Sequence, residues 1–313
     1  MLALQRNIDF NQIGVIVIND GEESRLPDEV FDGYPYDIRN YTIKHGGVSA
    51  ARNAGIDRSE AEWVMICDFD DTFLSVNALH ILLTAAKDEK RVMYWSHFME
   101  EIDREGEMIY HVHERDYIFN HGKMFRRQWL LDNNIRFNER LTLHEDVFFN
   151  TLTQAVAKEE EIGEIQGSIY LWCWNPNSVS RLQDNWLIKT FDHMMRQRIA
   201  ICQELEDREM KKELEMVVVK TFIDSYYDFQ QEEWQKTHLV NEKKYAERWF
   251  CTFMRTYWDV YKNVNPLEIA GMARVARNYR VSTGRLMMEA QTLREFLLHI
   301  NELEPIPANE WNL

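Results

Sequence analysis

The sequence predicts an α/β fold, a mixed and mainly parallel sheet flanked by helices, with a helical region behind it. Three observations predict it. Apolar runs at residues 14–18 and 63–67 each stop at an acidic turn, as buried parallel strands do. Helix-like stretches fall between such runs, the alternation that builds a sheet with helices on its faces. Beyond Asn185 turn signals thin out and amphipathic helical spacing takes over. The 313 residues suggest about two domains. We expect an α/β domain over 1–183 and an α-helical domain over 184–313.

The elements follow in order. Gly14-Val15-Ile16-Val17-Ile18 reads as a buried strand closed by Asn19-Asp20-Gly21. Residues 49–56 read as a helix. Trp63-Val64-Met65-Ile66-Cys67 reads as a second strand, running into Asp68-Phe69-Asp70-Asp71. Residues 78–87 form a helix, and 92–97 and 108–112 form strands joined by a polar turn at Glu105-Gly106. In the C-terminal half, Tyr245, Trp249, Phe253, Tyr257 and Tyr261 recur every four residues on one helix face. A core stripe is the expectation, and a sugar-stacking platform the alternative.

Charge and cysteines narrow the function. The chain carries 36 Lys and Arg against 52 Asp and Glu, a formal net charge of -16. That sign opposes a protein that coats nucleic acid through its phosphates. The acid is concentrated early, with 18 basic and 32 acidic residues through Asn185. Cys67, Cys173, Cys202 and Cys251 form no CxxC pair, which suits a reducing, cytoplasmic setting. No apolar run reaches the roughly 18 residues of a membrane span.

The chemistry concentrates at Asp68-Phe69-Asp70-Asp71-Thr72. Three carboxylates in four residues repel one another unless a positive charge sits among them. A hard divalent cation such as Mn²⁺ or Mg²⁺ is the usual solution. An acidic turn capping the next helix is the structural alternative. Two enzyme classes carry such a motif: haloacid-dehalogenase-like phosphatases, with Asp68 as nucleophile and Asp70 as acid/base, and nucleotide-sugar transferases.

The neighbouring motifs separate them. Upstream stand Asn19-Asp20-Gly21 and Gly46-Gly47-Val48-Ser49-Ala50-Ala51-Arg52-Asn53-Ala54-Gly55-Ile56. Downstream stand Lys123-Met124-Phe125-Arg126-Arg127, Leu143-His144-Glu145-Asp146-Val147 and Ser178-Val179-Ser180-Arg181. In this order and spacing the chain closely resembles glycosyltransferase family 2, over roughly residues 13–181. The phosphatase reading accounts for neither the GVSAARN segment nor the Glu-Asp pair.

The resemblance implies a GT-A fold and a metal-dependent glycosyltransferase. Its donor would be a nucleotide sugar, UDP-linked by family habit. Its acceptor would be a glycan, a protein or another hydroxyl compound, and transfer would invert the anomeric centre. Asp70 would hold the metal, with Asp68 at the ribose or metal waters. Asp20 would contact base and ribose. Asp146 would be the base, with Glu145 beside it. Arg52 is expected to pair with phosphate or to hold the acidic turn, and Arg181 to reach the diphosphate when a loop closes. Self-association through the helical region is a further expectation.

The weaker candidates are His144 as a metal or phosphate contact, and Arg274, Arg277 and Arg280 on one helix face with Arg285 just beyond. His111 and His113 share a strand face and are expected to meet solvent rather than metal. The sequence also departs from the family. A usual member begins with a strand of the type VSVIIPVYN, whereas Met1-Leu2-Ala3-Leu4-Gln5-Arg6-Asn7 resembles the end of the helix that follows it. Without that strand, its two neighbours in the sheet are expected to lose a hydrogen-bonded partner. A late start site, a strand from a separate chain, or a rearranged protein without activity would each account for this. In the last case the fold would serve as a non-catalytic binding protein.

Overall fold

The computed structural model describes residues 2–114, 116, 118–178, 185–262, 295–311 and 313. The chain divides into two compact units, Met1–Arg181 and Leu182–Leu313. Arg181, Arg274, Arg277, Arg280 and Arg285 lie outside the described residues.

The first unit begins with strand β1 (Gly14–Asp20) and strand β2 (Asp37–Ile43), paired in parallel. Helix α1 (Val48–Arg58) follows. Its entry is built by Gly46-Gly47, where Gly47 has φ +86, a conformation that side chains disfavour. The chain then forms β3 (Trp63–Met65), β4 (Thr72–Phe73) and α2 (Ala78–Ala85). Gln5 docks the N-terminal segment on α2: its amide donates to the Ser75 carbonyl at 2.8 Å and accepts from the Leu79 N–H at 2.9 Å. One backbone donor at the helix start is thereby satisfied.

Strands β5 (Met93–Arg104) and β6 (Glu107–His113) form a hairpin through Glu105 and Gly106. Then come β7 (Lys123–Arg126), α3 (Arg127–Asp132), α4 (Glu145–Val156) and β8 (Ile162–Trp172). The larger sheet runs β3-β7-β5-β8-β4, with β6 paired to β5. It is mixed, as the sequence predicts, but its parallel share is smaller: β5 and β8 are parallel and its other pairs antiparallel. Sequence patterning senses burial on both faces and not strand direction. The β5–β8 ladder shifts register around His97, which re-aims the far end of both strands.

Among the described residues, β1 pairs only with β2, and β3 only with β7. The strands thus fall into a two-stranded sheet, β1-β2, and the larger sheet. The core of the larger sheet is Tyr94, Phe98, Met124, Ile165, Ile169 and Tyr170, against Ala78, Leu79 and Leu82 of α2.

The second unit contains α5 (Trp186–Asp207), α6 (Lys211–Phe229), α7 (Glu232–Lys236) and α8 (Val240–Lys262). The aromatic stripe of α8 is core at its centre: Trp249, Phe253 and Tyr257 are buried. Tyr245, a turn earlier, is exposed. Tyr261 stacks on Phe222 of α6 with centroids 4.0 Å apart.

Candidate functional site: an acidic turn and an acidic helix start

The acidic turn after β3 sends its three carboxylates in three directions. Asp68 Oδ1 accepts from Arg52 Nη2 at 3.0 Å. Asp70 Oδ2 accepts from Asn175 Nδ2 at 2.7 Å. Asp71 turns inward, its side chain 1% exposed, and accepts from the Tyr170 hydroxyl at 2.8 Å and the Cys173 N–H at 2.9 Å. The Asp71 N–H closes the turn on the Asp68 carbonyl at 3.2 Å. Burial pushes the Asp71 carboxyl up to about 6, against those two hydrogen bonds.

His121 meets this turn from the loop before β7. Its ring lies nearly parallel to Tyr170, with centroids 5.2 Å apart, and its Nδ1 is 3.6 Å from Asp71 Oδ2. Burial lowers the imidazole to about 4, so it stays neutral near pH 7 and keeps a lone pair for a ligand. Asp68, Asp71 and His121 each offer a ligand atom, all within 4.8 Å of one another. Asp70 is not part of this group.

The second acidic motif opens α4. His144 precedes the helix in a left-handed conformation, φ 62, and Glu145 and Asp146 occupy its first turn. Carboxylates there are favoured by the helix dipole. Glu145 Oε1 accepts from Arg52 Nη1 at 2.6 Å. Asp146 Oδ1 accepts from the Val147 N–H at 2.8 Å. Burial first, and Glu145 second, push the Asp146 carboxyl up to about 7, while Arg52 and Lys123 pull the other way. Lys123 of β7 is buried, donates to the Phe119 carbonyl and lies 3.8 Å from Asp116. Burial lowers its amine to about 8.

Arg52 thus stands between the two motifs. Burial opposes its charge, but Asp68 and Glu145 outweigh that and raise its pKa. Its contact on the acidic turn is Asp68. Asp20 is engaged elsewhere: its two carboxylate oxygens accept from the N–H groups of Gly46 and Gly47 at 2.8 and 2.9 Å. It therefore fixes the entry to α1.

Other residues of the quoted motifs are structural. Asn53 Nδ2 donates to the Phe137 carbonyl at 3.0 Å, and its Oδ1 accepts from the Phe137 N–H at 2.9 Å. Arg127 Nε donates to the Ile56 carbonyl at 2.8 Å and Nη2 to the Asp57 carbonyl at 3.0 Å, capping α1. His113 corrects an expectation. It is partly buried, stacked on Phe98 with centroids 4.3 Å apart, and its Nε2 lies 2.7 Å from Glu100 Oε2. Only His111 of that pair is exposed.

His121, Tyr170 and Asn175 escape sequence reasoning. Their one signal is position: Asn120-His121-Gly122 is a polar step just before β7, and Tyr170 sits near the end of β8.

Comparison with known proteins bears on family and fold. The family model described as "Glycosyl transferase family 2" matches residues 2–157. The chain is similar to the "Uncharacterized glycosyltransferase EpsJ" of Bacillus subtilis (strain 168), 24% identical over 194 residues, which cover 55% of this chain and 56% of that protein. It is also similar to the "Minor teichoic acid biosynthesis protein GgaA" of the same organism, 27% identical over 209 residues, which cover 60% of this chain and 46% of that protein. The chain thus spans about half the length of the curated relatives it matches. Among solved structures, it resembles S. aureus TarS 1–349 in complex with UDP-GlcNAc, with TM-score 0.59 and 16% identity over 95% of this chain and 86% of that one. The same TarS fragment with UDP gives TM-score 0.56 and 14% identity, over 96% of this chain and 84% of that one. At such identity the likeness shows the GT-A fold alone. Sequence order, fold and family match agree, and the chain belongs to glycosyl transferase family 2 through its domain at residues 2–157.

Proposed function

We propose that this protein transfers a sugar from a UDP-sugar to an acceptor hydroxyl, with inversion at the anomeric carbon. The observation that carries the reading is Arg52, whose two Nη atoms join the donor turn at Asp68 to the acidic helix start at Glu145. A donor-binding carboxylate and a candidate base are thereby held in one construction.

Asp146 is the base. Its carboxyl, raised to about 7, is well matched to taking a proton near neutral pH. As the acceptor oxygen bonds to the anomeric carbon, its proton passes to Asp146. The bond from that carbon to the diphosphate oxygen breaks, and its electron pair leaves with UDP. One carboxylate acting once gives inversion.

A divalent cation fits the donor turn, because two carboxylates and a neutral imidazole converge there. Asp68, Asp71 and His121 would hold Mn²⁺ or Mg²⁺, with Asp70 at the rim as a further carboxylate. When bound, the ion neutralises charge building on the departing diphosphate. Arg181 remains our candidate for a diphosphate contact and Asp20 for a nucleoside contact.

The UDP donor rests on the two TarS complexes, whose titles name UDP and UDP-GlcNAc. The GgaA relative, named for minor teichoic acid biosynthesis, favours a glycan or anionic polymer as acceptor. Residues 1–183 would perform transfer, and residues 184–313 would shape acceptor choice or self-association. Among the described residues no helix is long and apolar enough to cross a membrane. No disulfide joins Cys67, Cys173, Cys202 and Cys251, in keeping with a reducing cytoplasmic setting. The phosphatase alternative is not favoured: Asp68, its would-be nucleophile, is held by Arg52.

The test is UDP release from UDP-GlcNAc in the presence of polyol-phosphate and glycan acceptors. Asp146→Asn should lower the rate about 100-fold or more, in line with loss of a general base, with UDP affinity nearly unchanged. Full activity in that variant would remove Asp146 from the reaction.

A further inference from the structure

Arg52 is far from both acidic motifs in sequence, yet its guanidinium is committed to both. Nη2 donates to Asp68 and Nη1 to Glu145. The side chains of Arg52 and Glu145 are 13% and 12% exposed, so the contact is shielded from competing water. The guanidinium carbon lies 5.4 Å from the Phe137 ring centroid. Phe137 in turn stacks on Phe149 of α4, with centroids 4.0 Å apart. Asn53, the next residue of α1, grips the backbone of Phe137 on both sides. Arg52 is therefore fixed in orientation by packing, and each Nη already serves a carboxylate. A planar fork can span two carboxylates in this way, whereas a lysine ammonium acts as a single point charge.

We propose that Arg52 is a positioning residue that locks the start of α4 to the donor turn, acting on transfer through Glu145 and Asp146 and not by contact with donor phosphate. The inference rests on the reading of Asp146 as base. The charged groups acting on Asp146 are Glu145 beside it, Arg52 from α1 and Lys123 from β7, which itself faces Asp116. Glu145 makes Asp146 harder to ionise, and Arg52 and Lys123 make it easier. With Arg52 removed, Glu145 loses its counter-charge and Asp146 loses a nearby cation. Both changes move Asp146 toward its protonated form.

The experiment is a carboxyl ¹³C NMR titration of Asp146, assigned by its absence in Asp146→Asn. Arg52→Ala should raise the Asp146 midpoint by about half a pH unit or more, as loss of a nearby cation does. Glu145→Gln should lower it, and Arg52→Lys should fall nearer the wild type. An unchanged midpoint in folded Arg52→Ala overturns the proposal. Should that variant fail to fold, an unchanged midpoint in Glu145→Gln does so. Calorimetry with UDP and Mn²⁺ supplies the opposing pattern. A tenfold loss of UDP affinity in Arg52→Ala, restored in Arg52→Lys with the Asp146 midpoint fixed throughout, would make Arg52 a phosphate contact. If the wild type binds no UDP, the donor reading fails while the titration still decides the coupling.

Discussion

Asp146 shows at the scale of one residue what burial does to a carboxyl. It keeps its proton to about pH 7 in the folded chain, against 3.8 for an ordinary aspartate. The folded state then binds a proton that the unfolded state has already released. Stability must fall as pH rises between those values, and the Asp146 contribution is fully present only below pH 3.8. Denaturant unfolding of wild type and Asp146→Asn from pH 4 to 8 should show this. The wild type should lose stability relative to the variant as pH climbs toward 7. Parallel curves would mean that Asp146 titrates normally. The Glu-Asp pair was legible in the sequence as a motif, but its division of labour was not. Adjacent side chains diverge, and only the fold decides that Glu145 meets Arg52 while Asp146 meets Val147.

Helix α1 carries that division at the scale of an element. Its GVSAARN stretch was legible as a family motif, yet its residues do different jobs. Ser49 and Asn53 are buried, Arg52 bridges two carboxylates, and Asn53 fastens the loop at Phe137. Asn53→Ala would strand the Phe137 N–H and carbonyl in a buried place, which costs about 1–3 kcal/mol. Urea unfolding should register that loss. A change below about 0.5 kcal/mol, the range of ordinary surface substitutions, would contradict the pinning role. The strands β1, β3, β5 and β6 were readable because apolar runs and turn residues bound them. Strand β2, with sequence DIRNYTI, and strand β8, interrupted by Gly163 and Gly167, were not, because polar and glycine residues blur the period. His121 and Tyr170 were hidden for the same reason. They stand at strand ends, and their meeting with Asp71 depends on strand order, which a single sequence does not encode locally.

For the whole molecule, the separation into an α/β unit and a helical unit is visible in the sequence as a change of texture near Asn185. The first unit brings together three segments distant in sequence: the turn at Asp68 to Asp71, the loop at His121 and the strand end at Tyr170. We propose that these segments bind a nucleoside diphosphate together with a divalent cation. The most direct measurement is calorimetric titration of UDP into the folded protein, with and without Mn²⁺, for wild type and Asp68→Ala. The account predicts UDP binding that requires Mn²⁺ and weakens at least about tenfold in the variant, or about 1.4 kcal/mol. Metal-independent binding of equal strength in both proteins, or no binding by folded wild type, would contradict it.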